Sequence, residues 1–378
     1  MLNSSKRILI ISPSLEPNQC GVSDYTNVLN KFLYEDKFVT FRMTLNDHYC
    51  KEISEHEHVI RINKSQTIAT KTNLLQKINK QFDPELILLN YVSYGYHKYG
   101  LPFFMMRMIK KTFYNKPIVL IFHELWPGNL SSDSFKDKLI GFVHRLFIKR
   151  MVKIISPYKI IVNAEIWQRL LNEINIKSCL VPVFSNIDVI DSTLDKSSEN
   201  YQLNESIDIK NIIAIAVFGS SGFSYDTNQI IDFFSEQIKN TETTFHFICI
   251  GKNQSLFDVF KKLHHLYPEH VIIEITGVLS AEKVSELFHY ADYGLTSYMP
   301  NFWSKSGAIA AMLAHGLTVL SISNSFSEKS TISMVHLPEH MLSIQQLRNG
   351  YKFVTKSSLP KANYNLLLYK DILEIINS

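Results

Sequence analysis

Apolar residues in this chain come in short, β-branched runs separated by longer stretches where they recur every three or four positions. In the first half the runs RILIISPS, FVTFRMTL, EHVIRI, ELILLNYV, PIVLIF, KIIVNA and SCLVPV each read as a strand. Helical spacing falls between several of them, at 66–81, 102–113 and 134–153. The second half repeats the alternation. IIAIAVFG, FHFICIG, HVIIEI, YGLTSY and LTVLSIS read as strands, with helices near 226–239, 255–266, 281–290 and 306–315. Such alternation predicts parallel sheets with helices on both faces.

The pattern breaks once, over NIDVIDSTLDKSSENYQLNESIDIKN at 186–211, which is rich in Ser, Asn, Asp and Glu and has no sustained period. The expected organisation is an N-terminal domain over 1–188, a linker over 189–210 and a second domain over 211–360. The final helical segment, about 361–378, is expected to pack back on the first domain. The fold class is therefore α/β, two doubly wound Rossmann-like domains facing a central cleft. Ligands of such sheets sit beyond the carboxyl ends of the strands.

Composition agrees with packed domains: 378 residues, 46% hydrophobic and 20% charged. A net charge of +4 admits an anionic partner without calling for nucleic acid. Cys20, Cys50, Cys179 and Cys249 form no C-x-x-C pair, which argues against a zinc knuckle or a disulfide framework and makes a reducing cytoplasm the expected setting. No apolar run reaches the roughly 18–20 residues of a membrane span. ILIIS near the start reads as a first strand, not a signal peptide.

The strand-end loops carry the candidate chemistry. In SPSLEPNQCGVSDY, Gly21 precedes a helix and would let its N–H groups approach an anion, although Ser23 or Asp24 serves equally as an ordinary N-cap. Tyr94 and Tyr96 sit in a loop with Tyr91 and Tyr99, suited to sugar contacts or simply packed on itself. His123 and Glu124 end the strand PIVLIF. A His there can polarise a hydroxyl and a Glu can serve as base; a solvated strand end is the alternative. Gly219, Ser220 and Ser221 form a small loop open to a pyrophosphate. It matches neither G-x-x-x-x-G-K-[ST] nor G-x-G-x-x-G, so nicotinamide chemistry is unsupported. Lys252 follows Gly251, and the backbone at Gly277 and Val278 suits a nucleotide base.

The segment NFWSKSGAIAAMLAHGLTVL places Lys305, Ser306, Gly307 and Ala308 where a helix begins. A cation beside a helix N-terminus opposes the dipole by roughly 0.3–1 kcal/mol unless a phosphate lies between them. A lysine pointing to water is the other reading. Neither SEHEHV nor LHHLY has enough ligands for a metal site.

The turn around GVSDY, the strand end FHELWP and the KSGAIAAMLAHGLTVL segment occur in order. Together they resemble a GT-B glycosyltransferase of the family-four, glycosyltransferase-group-one type over nearly the whole chain, most specifically from VFGSSG to AHGLTVLS. The resemblance implies a nucleotide-sugar donor on the second domain and a glycan or lipid-linked acceptor on the first. No separate cofactor is implied. His123 corresponds to the family's His after the fourth or fifth N-terminal strand, and Cys20–Gly21–Val22 to its glycine-rich turn after strand one. The family's two glutamates seven residues apart are missing here; Trp303 and Ala311 stand nearest their places. No D-x-D triplet occurs, so a metal-free mechanism is expected. Retention is implied; an inverting enzyme would use Asp24 or Glu124 as base.

The expected reaction is sugar transfer from a nucleoside diphosphate sugar to a hydroxyl, in bacterial surface polysaccharide or glycoconjugate assembly. A catalytically weak binding homologue and a GT-B-fold sugar-nucleotide epimerase are the alternatives. The segment FKDKLIGFVHRLFIKRMVKII, 135–155, carries six Lys/Arg against one Asp and an apolar stripe. It suits a peripheral contact with the cytoplasmic face of an anionic membrane, or a helix packed on its sheet.

Overall fold

The structure, a computed structural model, describes residues 6–17, 20–129, 133–190, 212–219, 225–241, 243–323, 341–344, 347, 351–355 and 363–378. The chain divides into two compact units, Met1–Val183 with Leu366–Ser378, and Phe184–Asn365.

The first unit runs β1 (Arg7–Ser12), α1 (Gly21–Glu35), β2 (Val39–Thr44), β3 (Ser54–His56), β4 (Val59–Arg61), α2 (Ile68–Gln81) and β5 (Leu86–Tyr91). It continues through α3 (Ser93–Tyr96), α4 (Phe103–Thr112), β6 (Ile118–Phe122), α5 (Phe135–Ile155), β7 (Lys159–Val162), α6 (Glu165–Asn172) and β8 (Cys179–Leu180). The sheet order is β3-β4-β2-β1-β5-β6-β7-β8. All pairs are parallel except β3 with β4. The run EHVIRI forms the one strand expected of it, β4. Just ahead of Val59, His58 takes φ 60° and reverses the chain, so His56 of β3, a strand the pattern did not show, pairs with Val59 across a tight turn. Strands β1, β5 and β6 are buried nearly end to end because helices cover both faces. The strand order reverses direction between β1 and β5, and the gap there is where such sheets take ligands.

The second unit runs β9 (Ile212–Phe218), α7 (Thr227–Thr241), β10 (Thr244–Ile250), α8 (Gln254–Leu266), β11 (Val271–Gly277), α9 (Ala281–Tyr290) and β12 (Tyr293–Thr296). A 3-10 turn, Pro300–Lys305, then leads into α10 (Gly307–Ala314), β13 (Thr318–Ser321) and β14 (Met341–Ser343). Its all-parallel order β11-β10-β9-β12-β13-β14 reverses between β9 and β12. One core face is aromatic: Phe247 stacks on Phe260 at 4.1 Å, and Phe234 meets Phe245 edge-on at 5.3 Å. The other packs Phe288, Trp303, Ile309 and Met312 with Ile187.

Ile187 explains why the segment from Phe184 belongs to the second unit. It is buried there, and the Ile190 N–H donates to Ser285 Oγ at 3.2 Å. Asn365 exchanges two hydrogen bonds with the Ser185 backbone, at 2.7 and 2.9 Å. It opens α11 (Tyr364–Asn377) together with Tyr364. Further along α11, Tyr369 stacks on Phe32 of α1 at 5.0 Å and donates to Asp36 Oδ2 at 2.8 Å.

Candidate functional site

At the switch point of the first unit, four buried polar side chains form a chain: Ser12 on β1, Thr26 on α1, Asn90 on β5, and His123 just after β6. Thr26 donates its single hydroxyl proton to the Val22 carbonyl at 2.7 Å. Its oxygen can then only accept, from Ser12 Oγ at 3.2 Å and from Asn90 Nδ2 at 3.2 Å. That fixes the Asn90 amide, whose Oδ1 faces His123 Nε2 at 2.8 Å. The imidazole must donate from Nε2, which leaves the lone pair of the neutral ring on Nδ1.

The residue is held at two further points, one on its backbone and one on its ring. The His123 amide donates to Tyr91 O at 3.0 Å, and Tyr25 meets the ring edge-on at 4.7 Å. Burial pushes the Tyr25 hydroxyl well above its ordinary range, with Asn163 beside it acting the other way, so it stays a neutral phenol. His123 itself is 7% exposed. An imidazole held in fixed orientation at a strand's carboxyl end is what this arrangement supplies.

The neighbouring expectations fare differently. Glu124 is exposed immediately after His123. Gly21 is the first residue of α1, and nothing lies within 4 Å of where its Cβ would stand. Neither Ser23 nor Asp24 caps that helix. The N-cap is Cys20, which makes no side-chain capping bond, and Asp24 lies a turn in with its N–H on the Cys20 carbonyl at 3.0 Å. Asp24 therefore complements the dipole from the first turn. Tyr94 is 48% exposed and leans on His144 at 5.5 Å. Tyr96 is corrected: it is 2% exposed, and its hydroxyl donates to Asn90 O at 2.6 Å. It is a core strut beneath Asn90, closed to a ligand.

In the second unit, three adjacent strands β9, β10 and β11 each end in a left-handed glycine: Gly219 (φ 98°), Gly251 (φ 101°) and Gly277 (φ 69°). The Gly251 N–H donates to Gly277 O at 2.7 Å. Gly219 also makes a close approach, since a Cβ there would stand 2.8 Å from the Ala308 Cβ. The β9 turn and the first turn of α10 thus abut at the switch point. Lys252 is exposed and Val278 is 68% exposed, leaving the strand-end backbone open. Ser220 and Ser221 lie outside the described residues.

Ser306 is corrected in part. Its N–H donates to Trp303 O at 3.1 Å, and its hydroxyl caps α10 by accepting from Ile309 N at 3.3 Å. The helix amides left at that end are those of Gly307 and Ala308, with the exposed Asn186 Oδ1 3.9 Å from the Gly307 Cβ position. Lys305 closes the preceding 3-10 turn, where a cation suits the carbonyl end, and its ammonium lies 5.8 Å from the centre of the Phe302 ring. Lys305 is therefore matched to the carbonyl end of the turn it closes.

Trp303 and Ala311, nearest the places of the family's two glutamates, are 5% and 0% exposed. Trp303 Nε1 holds the Tyr298 carbonyl at 2.9 Å, which Ser321 Oγ also reaches at 3.0 Å. A carboxylate at either place would be a buried charge, so packing has taken over both positions.

Sequence reasoning missed Asn90, Thr26, Ser12 and Asn186. Asn90 carried a readable signal: one amide inside the apolar run LILLNY. The others had none.

No protein-family model and no curated protein matches the chain. Solved structures do. A glycosyltransferase from Rickettsia africae is similar at a TM-score of 0.54 and 12% identity, over 99% of this chain and 89% of that one. A UDP-GlcNAc 2-epimerase from Methanocaldococcus jannaschii is similar at 0.49 and 10%, over 99% of both chains. Anabaena HepE, solved with UDP and glucose, is similar at 0.48 and 13%, over 84% and 80%. Two doubly wound, Rossmann-like units and the likeness to the rickettsial structure establish that the chain has a GT-B glycosyltransferase-like fold.

Proposed function

We propose that the chain transfers a sugar from a nucleoside diphosphate sugar to a hydroxyl acceptor. The observation that carries this reading is the approach of the left-handed Gly219 turn to Ala308, 2.8 Å from a Cβ position, at the head of α10. Two backbone edges without bulky side chains meet there, and the Gly307 and Ala308 amides stand at the positive end of the helix. The leaving diphosphate gains charge as the glycosidic bond breaks. These amides, the Gly219 turn and Lys305 stabilise that charge. Lys252 is a further cationic contact for the donor, and the Gly277–Val278 backbone holds the base. In the first unit, Gly21 opens the α1 amides to an anionic group. The rickettsial structure of the same fold is a glycosyltransferase, which agrees.

In the first unit, His123 orients or deprotonates the reacting hydroxyl, while Asn90 holds Nε2. Tyr94 contacts the acceptor from the loop above. Glu124 and Asp24 are the bases available to an inverting reaction.

A second reading has its own support. The acidic pair that would hold a ribose is replaced by buried Trp303 and Ala311, which favours a protein that binds nucleotide or glycan without turnover. A panel of nucleoside diphosphate sugars, followed by calorimetry and by transfer to a hydroxyl acceptor, separates the two. Transfer supports the first reading. Binding without transfer supports the second. Conversion of the donor with no acceptor present replaces both with an epimerase.

A further inference from the structure

Helix α5 carries two apolar faces. One packs inward, with Gly141, His144, Ile148, Met151 and Ile155 buried. The other is Phe135, Leu139, Phe142, Val143 and Leu146, exposed by 83, 57, 58, 44 and 54%. At about 100° per residue these five share an arc of about 100°, centred opposite the buried face. No rotation of the helix buries both. The outer stripe is therefore not core awaiting a better fit.

Its borders are basic. The helix holds Lys136, Lys138, Arg145, Lys149, Arg150 and Lys153 against Asp137 alone. On the same wheel Lys138, Arg145 and Lys149 flank one side of the stripe and Lys136 the other, while Arg150 and Lys153 continue its line in the turns after Leu146. The neighbouring α4, which packs on α5, adds Phe104 at 71% exposure. Among the described residues no helix is long and apolar enough to cross a membrane.

We propose that α5 lies in the plane of a bilayer bearing anionic headgroups, with the five apolar side chains inserted and the flanking cations on lipid phosphates. Charge decides between occupants. A second copy of the chain would pair the face with itself and set like cations against each other. An anionic bilayer meets the apolar line and both basic borders at once, and long Lys and Arg stems reach the headgroups from the sides.

The docking stands on α5 alone. Its use rests on the transferase reading: the backbone leaving His123 crosses α5 at Gly141, where a Cβ would fall on the Pro127 carbonyl oxygen. A docked α5 would hold that loop beside the surface where a lipid-linked hydroxyl resides.

The test is cosedimentation of the full chain with phosphatidylcholine vesicles, with and without phosphatidylglycerol, in the absence of donor and acceptor. Binding should require phosphatidylglycerol and fall with salt. Leu139→Ser with Phe142→Ser should weaken it by about tenfold or more, and Lys138→Gln with Arg145→Gln should weaken it and make it less sensitive to salt. Both pairs are surface changes, so melting temperatures should match the wild type. Absence of binding, equal binding to neutral vesicles, or unchanged binding by the Leu139/Phe142 variant overturns the proposal. So does a wild-type dimer on light scattering that this variant dissolves. Transfer to a soluble acceptor by a chain that ignores vesicles would sink the docking and leave the transferase reading standing.

Discussion

His123 Nε2 donates to Asn90 Oδ1 across 2.8 Å, and Asn90 donates in turn to Thr26, so one buried amide sets the tautomer of the imidazole. Asn90→Asp puts a carboxylate beside Nε2 and favours the imidazolium. The acid limb of the pH–rate profile should then move to higher pH. Asn90→Leu removes one hydrogen bond from His123 and one from Thr26 and should cost about 1–3 kcal/mol of stability. A loss of rate in Asn90→Asp with no displacement of the profile would reduce Asn90 to a structural residue.

Ser306 and Lys305 are adjacent but should respond oppositely. Ser306 caps α10, so Ser306→Ala should lower stability by about 1 kcal/mol. Lys305 is half-exposed at the end of the 3-10 turn, so Lys305→Ala should leave the melting curve in place. Affinity for a nucleoside diphosphate should fall by about tenfold with loss of one charged hydrogen bond. Calorimetry on Lys305→Ala that returned the wild-type affinity would remove Lys305 from the diphosphate site.

Gly219 is constrained twice, by a φ of 98° and by Ala308. Gly219→Ala should cost about 1–3 kcal/mol through backbone strain alone. Adding Ala308→Gly relieves the contact but not the dihedral. The double variant should therefore regain only part of the lost stability, while donor affinity stays low. Full recovery in denaturant melts would show that the contact, not the backbone, requires the glycine.

Asp47 lies in the loop after β2, fully buried against Arg61 Nε at 2.8 Å, with the Tyr49 and Cys50 amides at 2.8 and 3.2 Å. Burial by itself would raise its carboxyl. The Arg61 hydrogen bond and the two amides outweigh it and hold the group below the ordinary 3.8. A depressed folded value means the carboxylate stabilises the native state above the unfolded value, and that this is lost as pH falls through the folded one. Melting temperatures from about pH 6 down to pH 2 should converge between wild type and Asp47→Asn. A gap that persists at the acid end would assign the effect to packing.

Much of the frame was legible in the chain. Strands such as PIVLIF and IIAIAVFG announce themselves because helices cover both of their faces, and the sequence must be apolar throughout. The helix 281–290 carries its cap in its own sequence, Ser280, which accepts from Lys283 N at 3.4 Å. His123 was visible as the polar residue that ends a buried run. The partner strand Ser54–His56 was not, because SEH carries no apolar residue and is a strand only through its pairing with β4.

The candidate sites divide along the same line. Tyr96 looked like a surface ring because burial of its hydroxyl depends on Asn90, six residues back on another element. Lys305 looked misplaced until the 3-10 turn before it was seen. In α5 the sequence showed an apolar stripe and six cations, and the two readings of that stripe seemed exclusive. The folded helix satisfies one face in the core and leaves a second in solvent.

Local periodicity thus determined the elements, their order and the doubly wound class, since the spacing of apolar residues is set by which faces a strand or helix must bury. Only the tertiary structure decided what meets at the strand ends. The His123–Asn90 bond spans 33 residues and the Asn90–Thr26 bond 64, and Gly219 reaches Ala308 from the far side of the second sheet's switch point. Hydrogen bonding and burial act between neighbours in space, and parallel crossover topology brings together residues that no window along the chain contains.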